Sequence, residues 1–357
     1  MRILIVNPFG IGDVIFTLPL IRNLKKTFPH SHIGYLSNRR TYPILSVQPE
    51  IDSLYVYEKD EWRSLYKTSR IKTIIKFGSF LKSIKRMKFD IVFDLSLAGK
   101  FGFIFWILGI KKRLGYDYKN RGIFLNKKIK MSGYSNKHMV EYYSDLVALL
   151  GLKSEFKFTK LSLPTSVIDW GNDEVAELKN RSNLIISLIP GGGASWGSQA
   201  YKKRWEEEKY KELLNLMLRE IDAGILLLGD KEDKSKWGKV PKHDMVLNYM
   251  GETSLLEFAA LISVSDLVVT NDGGPVHIAA AFSIPTLSIF GPVSESVYGP
   301  YPKDNKHRIM SLKLNCRPCY KNFRMPSCSH HRCLDELSAG DVFKELKEHL
   351  SLIKHEK

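Results

Sequence analysis

The chain has 357 residues, 44% of them hydrophobic and 26% charged, and a formal net charge of +16. That length exceeds the usual size of one hydrophobic core, so two domains are expected. The composition excludes a disordered or fibrous chain, and the positive surplus predicts either an acidic partner or a heavily solvated basic surface.

The opening residues, MRILIVNPFGIGD, lack the charged stretch, long apolar run and small-residue cleavage site of a secretory signal, so a cytoplasmic location is expected. RILIVN, bounded by Pro8 and Gly10, reads as a buried parallel strand. Val14, Leu18, Ile21, Leu24 and Phe28 then recur at steps of three and four, one face of a helix that Pro19 should bend or interrupt. HIGYLS from His32, SLYVYE from Ser53 and FDIVFDLS from Phe89 are further strand candidates separated by basic helical segments. This β-α-β order predicts a doubly wound α/β domain with a parallel sheet. FGFIFWILGI, from Phe101, is too short to span a bilayer and reads first as a buried helix, while its flanking Lys100 and Lys111 to Arg113 also suit contact with a lipid surface.

LSLPTS, Leu161 to Ser166, looks like a join, after which the pattern restarts. NLIISLIP, GILLLG, LVVT and TLSIFG read as strands, alternating with helices from about Trp205, from Ser254 and from Pro275. Ser254 and Glu257 have the spacing of a capping box. The expected domains are therefore 1–165, 166–340 and a final helix over 341–357. Ligands of such sheets bind at the carboxyl ends of the strands, and two tandem domains predict a cleft between them.

Four segments carry candidate chemistry. In NPFGIGD, glycines at the strand-to-helix turn admit a ligand, so Gly12 is a candidate ligand contact. Asp13 reads equally as a helix cap or as a catalytic carboxylate. In PGGGASWGSQAYKKRW, a glycine-rich loop leaves a strand and runs into Lys202, Lys203 and Arg204, backbone N–H groups and cations suited to a diphosphate; the alternative is a solvated basic turn. Neither a Walker loop nor a complete dinucleotide fingerprint is present. In TNDGGPVHIAAAFSIPTLSIFGP, Gly273, Gly274 and Pro275 open a helix whose first amides face outward; Asp272 suits sugar hydroxyls and His277 a phosphate or ring oxygen.

Cys316, Cys319, Cys328 and Cys333 form the fourth, Cys-x2-Cys-x8-Cys-x4-Cys. In a reducing compartment this favours a structural zinc or iron over disulfides, with four reduced thiols as the alternative. Basic residues gather in the first half, from Lys72 through Lys88, Lys111 to Arg113, Arg121 and Lys127 to Lys130. Solvated helix faces account for some; an acidic acceptor or an anionic membrane surface accounts for the concentration, and no nucleic-acid module is recognised.

Together, GIGDVIFTLPLIRNLKKTFP, KKRW after the glycine-rich loop, and the third motif resemble the glycosyltransferase family 9 heptosyltransferases, in order along nearly the whole chain. The resemblance implies a GT-B architecture of two Rossmann-like domains facing a cleft, an acceptor-binding first domain, a nucleotide-sugar-binding second domain and a final helix that often returns to the first. It implies inverting transfer of heptose from ADP-heptose to a lipopolysaccharide core or related acidic glycan or glycolipid, without a catalytic cofactor, and peripheral contact with the inner face of the cytoplasmic membrane. Residue by residue, Asp13 matches a general base, Lys203 a contact to the donor phosphates, Asp272, Gly273, Gly274 and His277 the donor loop, and Glu232 a carboxylate on the adenosine ribose. Another nucleotide sugar, a protein acceptor, a nucleotide-sugar epimerase and a non-catalytic binding protein are the alternatives.

Overall fold

A computed structural model describes residues 1–153, 160–192 and 194–356. The chain divides into two compact units, Met1–Lys157 and Phe158–Lys357.

The first unit follows the order β1 (Arg2–Val6), α1 (Ile11–Ile15), α2 (Leu18–Thr27), β2 (His32–Ser37), α3 (Tyr42–Ser46), β3 (Ser53–Val56), α4 (Lys59–Thr68), α5 (Arg70–Arg86), β4 (Ile91–Asp94), α6 (Gly99–Ile107), β5 (Lys112–Tyr118), β6 (Lys127–Met131) and α7 (Met139–Asp145). Its six strands lie in the order β3-β2-β1-β4-β5-β6, and all neighbours are parallel. Every residue of Ile3–Val6 is fully buried, as expected of a central strand covered on both faces. Pro19 falls at the second position of α2, where its missing N–H costs nothing, and so the expected helix is split into α1 and α2.

Lys127, Lys128 and Lys130 lie on β6, not on a helix face. This is the edge of the sheet, where lysines discourage pairing with another chain. The segment from Phe101 forms α6, buried along Phe101, Gly102 and Phe105 and open to solvent at Phe103, Trp106 and Ile107.

The second unit comprises α8 (Thr165–Glu174), α9 (Ala176–Arg181), β7 (Ile185–Ile189), 3₁₀ turns over Ala194–Lys203, α10 (Glu207–Glu220), β8 (Gly224–Leu227), α11 (Lys231–Trp237), β9 (Val246–Asn248), α12 (Leu255–Ser263), β10 (Leu267–Asn271), α13 (Gly274–Ala281), β11 (Thr286–Ile289), α14 (Glu295–Tyr298), β12 (His307–Met310), α15 (Arg332–Asp335) and α16 (Ala339–Glu356). The strand order is β12-β11-β10-β7-β8-β9, again all parallel. Ser254 caps α12 as its spacing predicts: its hydroxyl accepts from the Glu257 N–H at 3.3 Å, and the Glu257 carboxylate accepts from the Ser254 N–H at 2.7 Å.

The final helix, α16, packs within this unit. Val342, Phe343, Leu346 and Leu350 join Leu213, Leu214 and Met217 of α10 in one core cluster, and Lys347 pairs with Glu220 at 2.9 Å.

Candidate functional site

Each sheet has a switch point, the place where successive crossovers turn in opposite directions. In the first unit it lies between β1 and β4, in the second between β7 and β10. Loops leaving the carboxyl ends of such strands are where ligands of open α/β sheets bind.

After β1, Asp13 sits half-buried on α1 and its Oδ2 accepts the Gly10 N–H at 3.0 Å. Asn7 braces the turn, donating through Nδ2 to the Asp13 carbonyl at 3.1 Å. The capping geometry is thus present, and it holds the carboxylate at the strand end. Gly12 lies in the same turn, its carbonyl accepting from the Phe16 N–H. Tyr35 and Tyr134 are buried nearby. Burial first, and the Asp13 charge among further causes, raise both phenols above their ordinary range, so they stay protonated donors.

The sequence reading missed the partner feature at the end of β4. Asp94 is paired in register with Val6, and its Oδ1 accepts from the Ser96 hydroxyl and N–H. Burial pushes its carboxyl up to about 6, with the Ser96 hydrogen bonds pulling the other way. Its only sequence signal was an aspartate closing an apolar strand.

At the second switch point, Asn271 organises the loops. At the end of β10, its Nδ2 donates to the carbonyls of Pro190 and Gly191 beyond β7, and its Oδ1 accepts the Trp205 N–H at 3.0 Å. This clamp presents the KKRW segment to the sheet end. Lys203 Nζ lies 2.7 Å from Asp272 Oδ2 and 4.8 Å from the centre of the Trp196 ring. Both members of the ion pair are buried; burial raises the Asp272 carboxyl while Lys203 opposes the shift. Asp272, expected from the sequence to meet sugar hydroxyls, is thus engaged by a cation.

Arg204, also buried, donates to the Gly192 carbonyl at 2.8 Å and pairs with Glu232 at 3.0 Å. Glu232 stands in the first turn of α11, largely exposed. Lys236 and Arg204 together hold its carboxyl below the usual range. Gly273 and Gly274 lead into α13, with Pro275 in its first turn and His277 buried one residue further than Val276. The structure thus brings Lys203 and Asp272 into direct contact at one strand end, links Glu232 to that loop through Arg204, and places Gly12 and Asp13 in the other unit.

Gly191 has no room for a side chain: a Cβ there would come 2.0 Å from Asp233 Oδ2. Asp233 is fixed by the Asp230 N–H at 2.9 Å, and burial pushes its carboxyl up to about 6. The close approach of this loop to α11 is therefore built into the glycine.

Of the four cysteines, Cys316, Cys319 and Cys328 follow β12 and Cys333 lies on α15. Among the described residues, no group of three or more His, Cys, Asp or Glu side chains is placed to hold a metal ion. Cys316, Cys319, Cys328 and His330 line one cavity of about 330 Å³. Cys319 Sγ, however, is turned to the Cys316 carbonyl at 2.9 Å, and Cys333 is drawn into the core beside Leu334. Burial raises the Cys333 thiol to about 11, which keeps it protonated. The soft donors suit zinc or iron; their positions do not converge.

A second cavity, of about 570 Å³, opens on the first unit. It is lined by Tyr57, Trp62, Tyr66 and Phe77 together with Lys59, Arg63, Lys67 and Lys100. Lys100 Nζ lies 4.7 Å from the centre of the Tyr57 ring. Aromatic faces beside cations suit an acidic sugar.

Two Rossmann-like units in one chain, each with polar residues gathered at its switch point, place the protein in the GT-B class. The family model for glycosyltransferase family 9 (heptosyltransferase) matches residues 77–329, more than half the chain; the protein belongs to that family and is a glycosyltransferase. It is 25% identical over 352 residues to lipooligosaccharide heptosyltransferase 2 of Campylobacter jejuni, covering 97% of this chain and 98% of that one. It is also 25% identical to lipopolysaccharide heptosyltransferase 3 of Escherichia coli, over 81% of this chain and 83% of the relative. Among solved structures, the E. coli ADP-heptose lipopolysaccharide heptosyltransferase II superposes with a TM-score of 0.74 at 22% identity, over 99% of this chain and 100% of that one.

Proposed function

We propose that this chain transfers heptose from an ADP-heptose donor to a lipopolysaccharide core or a related acidic glycan, with inversion at the anomeric carbon. The observation that carries the reading is the buried Lys203–Asp272 pair at the β7/β10 switch point, beside the Gly273–Gly274 entry to α13. A cation and the N-terminus of a helix at one strand end suit a diphosphate, and the solved E. coli relative bears the name of an ADP-heptose enzyme.

In the proposed reaction the acceptor hydroxyl oxygen attacks the anomeric carbon and its proton passes to the Asp13 carboxylate. The bond from that carbon to the β-phosphate oxygen breaks, and its electron pair leaves with ADP. Lys203 and the α13 amides stabilise the charge that develops on the leaving group, so the scheme needs no catalytic cofactor. Asp272 positions Lys203 and reads sugar hydroxyls, Glu232 holds the adenosine ribose, and His277 with Gly12, Gly273 and Gly274 completes the donor contacts.

The aromatic and basic cavity of the first unit supports an acidic glycan or glycolipid as acceptor. The net charge of +16 supports peripheral contact with the anionic inner face of the cytoplasmic membrane. A structural zinc or iron on Cys316, Cys319, Cys328 and Cys333 is a separate proposal, supported by the soft-donor chemistry of the four and by the cavity that the first three line.

The test is transfer to a heptose-deficient core acceptor by wild type and Asp13→Asn. The variant should retain ADP binding and lose about 10²-fold or more in rate. Equal rates would remove Asp13 from the role of base; conversion of the donor alone into another nucleotide sugar would establish an epimerase instead.

A further inference from the structure

α5 and α6 each turn buried apolar residues toward the sheet and leave other large apolar residues on the outside. Ile84 of α5 and Phe101 and Phe105 of α6 pack with Leu4, Val6, Leu36 and Val92 of the sheet, so both helices cover the same sheet face. On the outside of α5, Ile71, Ile74 and Ile75 are 72%, 71% and 67% exposed. On the outside of α6, Phe103, Trp106 and Ile107 are 42%, 53% and 56% exposed. A run of large apolar side chains left in water on two neighbouring helices is unusual for a soluble surface and marks a place of contact.

The charges around these side chains say what the contact is. From Trp62 to Phe89 the sequence carries nine Lys or Arg and no Asp or Glu; between Asp94 and Asp117 it carries Lys100, Lys111, Lys112 and Arg113, again with no acid. Two copies meeting through this face would set these cations against one another. An anionic bilayer offers both things the face needs: acyl chains for the isoleucines and aromatic rings, and headgroup charge for the basic rim.

The aromatic residues are held for that task. Phe103, Trp106 and Phe124 form a ring cluster with centroid separations of 5.0, 5.7 and 6.1 Å, so the indole is braced at the surface. Among the described residues no helix is long and apolar enough to cross a membrane. Helices with an apolar stripe and a basic border lie in the plane of the interface instead.

We propose that the outer face of α5 and α6 is a membrane-docking surface that inserts Ile71, Ile74, Ile75, Phe103, Trp106 and Ile107 among the acyl chains of an anionic bilayer. This deepens the peripheral-membrane part of the proposed function and is independent of the donor chemistry.

The test uses the full chain and vesicles of phosphatidylcholine, alone or mixed with phosphatidylglycerol, read by co-sedimentation and by quenching of Trp fluorescence with brominated lipid. Wild type binds the anionic vesicles, less so at high salt, and brominated chains quench its emission. Ile71→Ser/Ile74→Ser/Ile75→Ser lowers partitioning at least about tenfold, while ADP binding and the urea midpoint stay at wild-type values. Trp106→Leu keeps vesicle binding and loses most of the quenching.

Equal partitioning of the triple variant overturns this face and leaves the broader membrane contact standing. No binding of wild type to anionic vesicles overturns both. Concentration-dependent dimerisation of wild type that the triple variant abolishes assigns the face to a second copy and overturns the lipid assignment.

Discussion

Lys203, at the end of the 3₁₀ segment that follows β7, and Asp272, directly after β10, face each other at 2.7 Å, both withdrawn from solvent. A buried pair of this kind is costly to break from one side, because the remaining charge has neither water nor partner. Lys203→Ala should therefore destabilise the second unit by about 3–5 kcal/mol. The double variant Lys203→Met/Asp272→Asn removes both charges and should recover most of that loss. Urea unfolding of the three proteins checks the order: wild type close to the double variant, the single variant well below both.

Among the described glycines of the loop after β7, Gly191 leaves the least room for a side chain. With Asp233 Oδ2 at 2.0 Å from any added Cβ, Gly191→Ala has to displace the loop or the α11 cap. The expected cost is about 1–3 kcal/mol of stability, accompanied by weaker ADP binding. Unchanged melting and unchanged affinity would show that the loop has another place to go.

The carboxyl of Asp94 has a folded value of about 6 against an ordinary value of 3.8. Between these two values the folded protein holds a proton that the unfolded chain has released. Asp94 therefore subtracts stability as pH rises through that window, and the penalty is complete above pH 6. Asp94→Asn should gain on wild type by about 1–3 kcal/mol between pH 4 and pH 8. Unfolding free energies of both proteins across that range give the comparison. The contributions of Asp233, shifted in the same direction, and of His349, whose buried ring is lowered to about 4, cancel in the difference.

For the cysteines, elemental analysis of protein purified under reducing conditions decides between the proposed metal and four thiols. About one zinc or iron per chain, lost together with some thermal stability in Cys316→Ser/Cys319→Ser, supports the centre. Metal-free protein with four titratable thiols, and no effect of those substitutions on melting, rejects it.

Much of the fold was legible because its signals are local. The apolar runs at Arg2–Val6, Ile185–Ile189 and Leu267–Asn271 announce buried strands, Pro19 announces a broken helix, and Ser254 with Glu257 announces a cap. What escaped depends on pairing. β6, KKIKM, reads as solvated surface until its register with Leu114–Tyr118 is known, and β9 is only three residues long. The site divides in the same way. Lys203 and Asp272 each stand out in a motif, but their contact follows from the adjacency of β7 and β10 and from the Asn271 clamp, neither of which has a sequence signature. Asp94 was passed over because only the β1–β4 register sets it at the switch point.

Calorimetric titration of ADP, UDP and GDP into wild type and Lys203→Met/Asp272→Asn decides whether the second unit binds the donor nucleotide through Lys203. Saturable binding of ADP in preference to the other two is expected, weakened at least about tenfold in the double variant, whose fold is retained. Preference for UDP or GDP, or ADP binding that the double variant leaves unchanged, would contradict it.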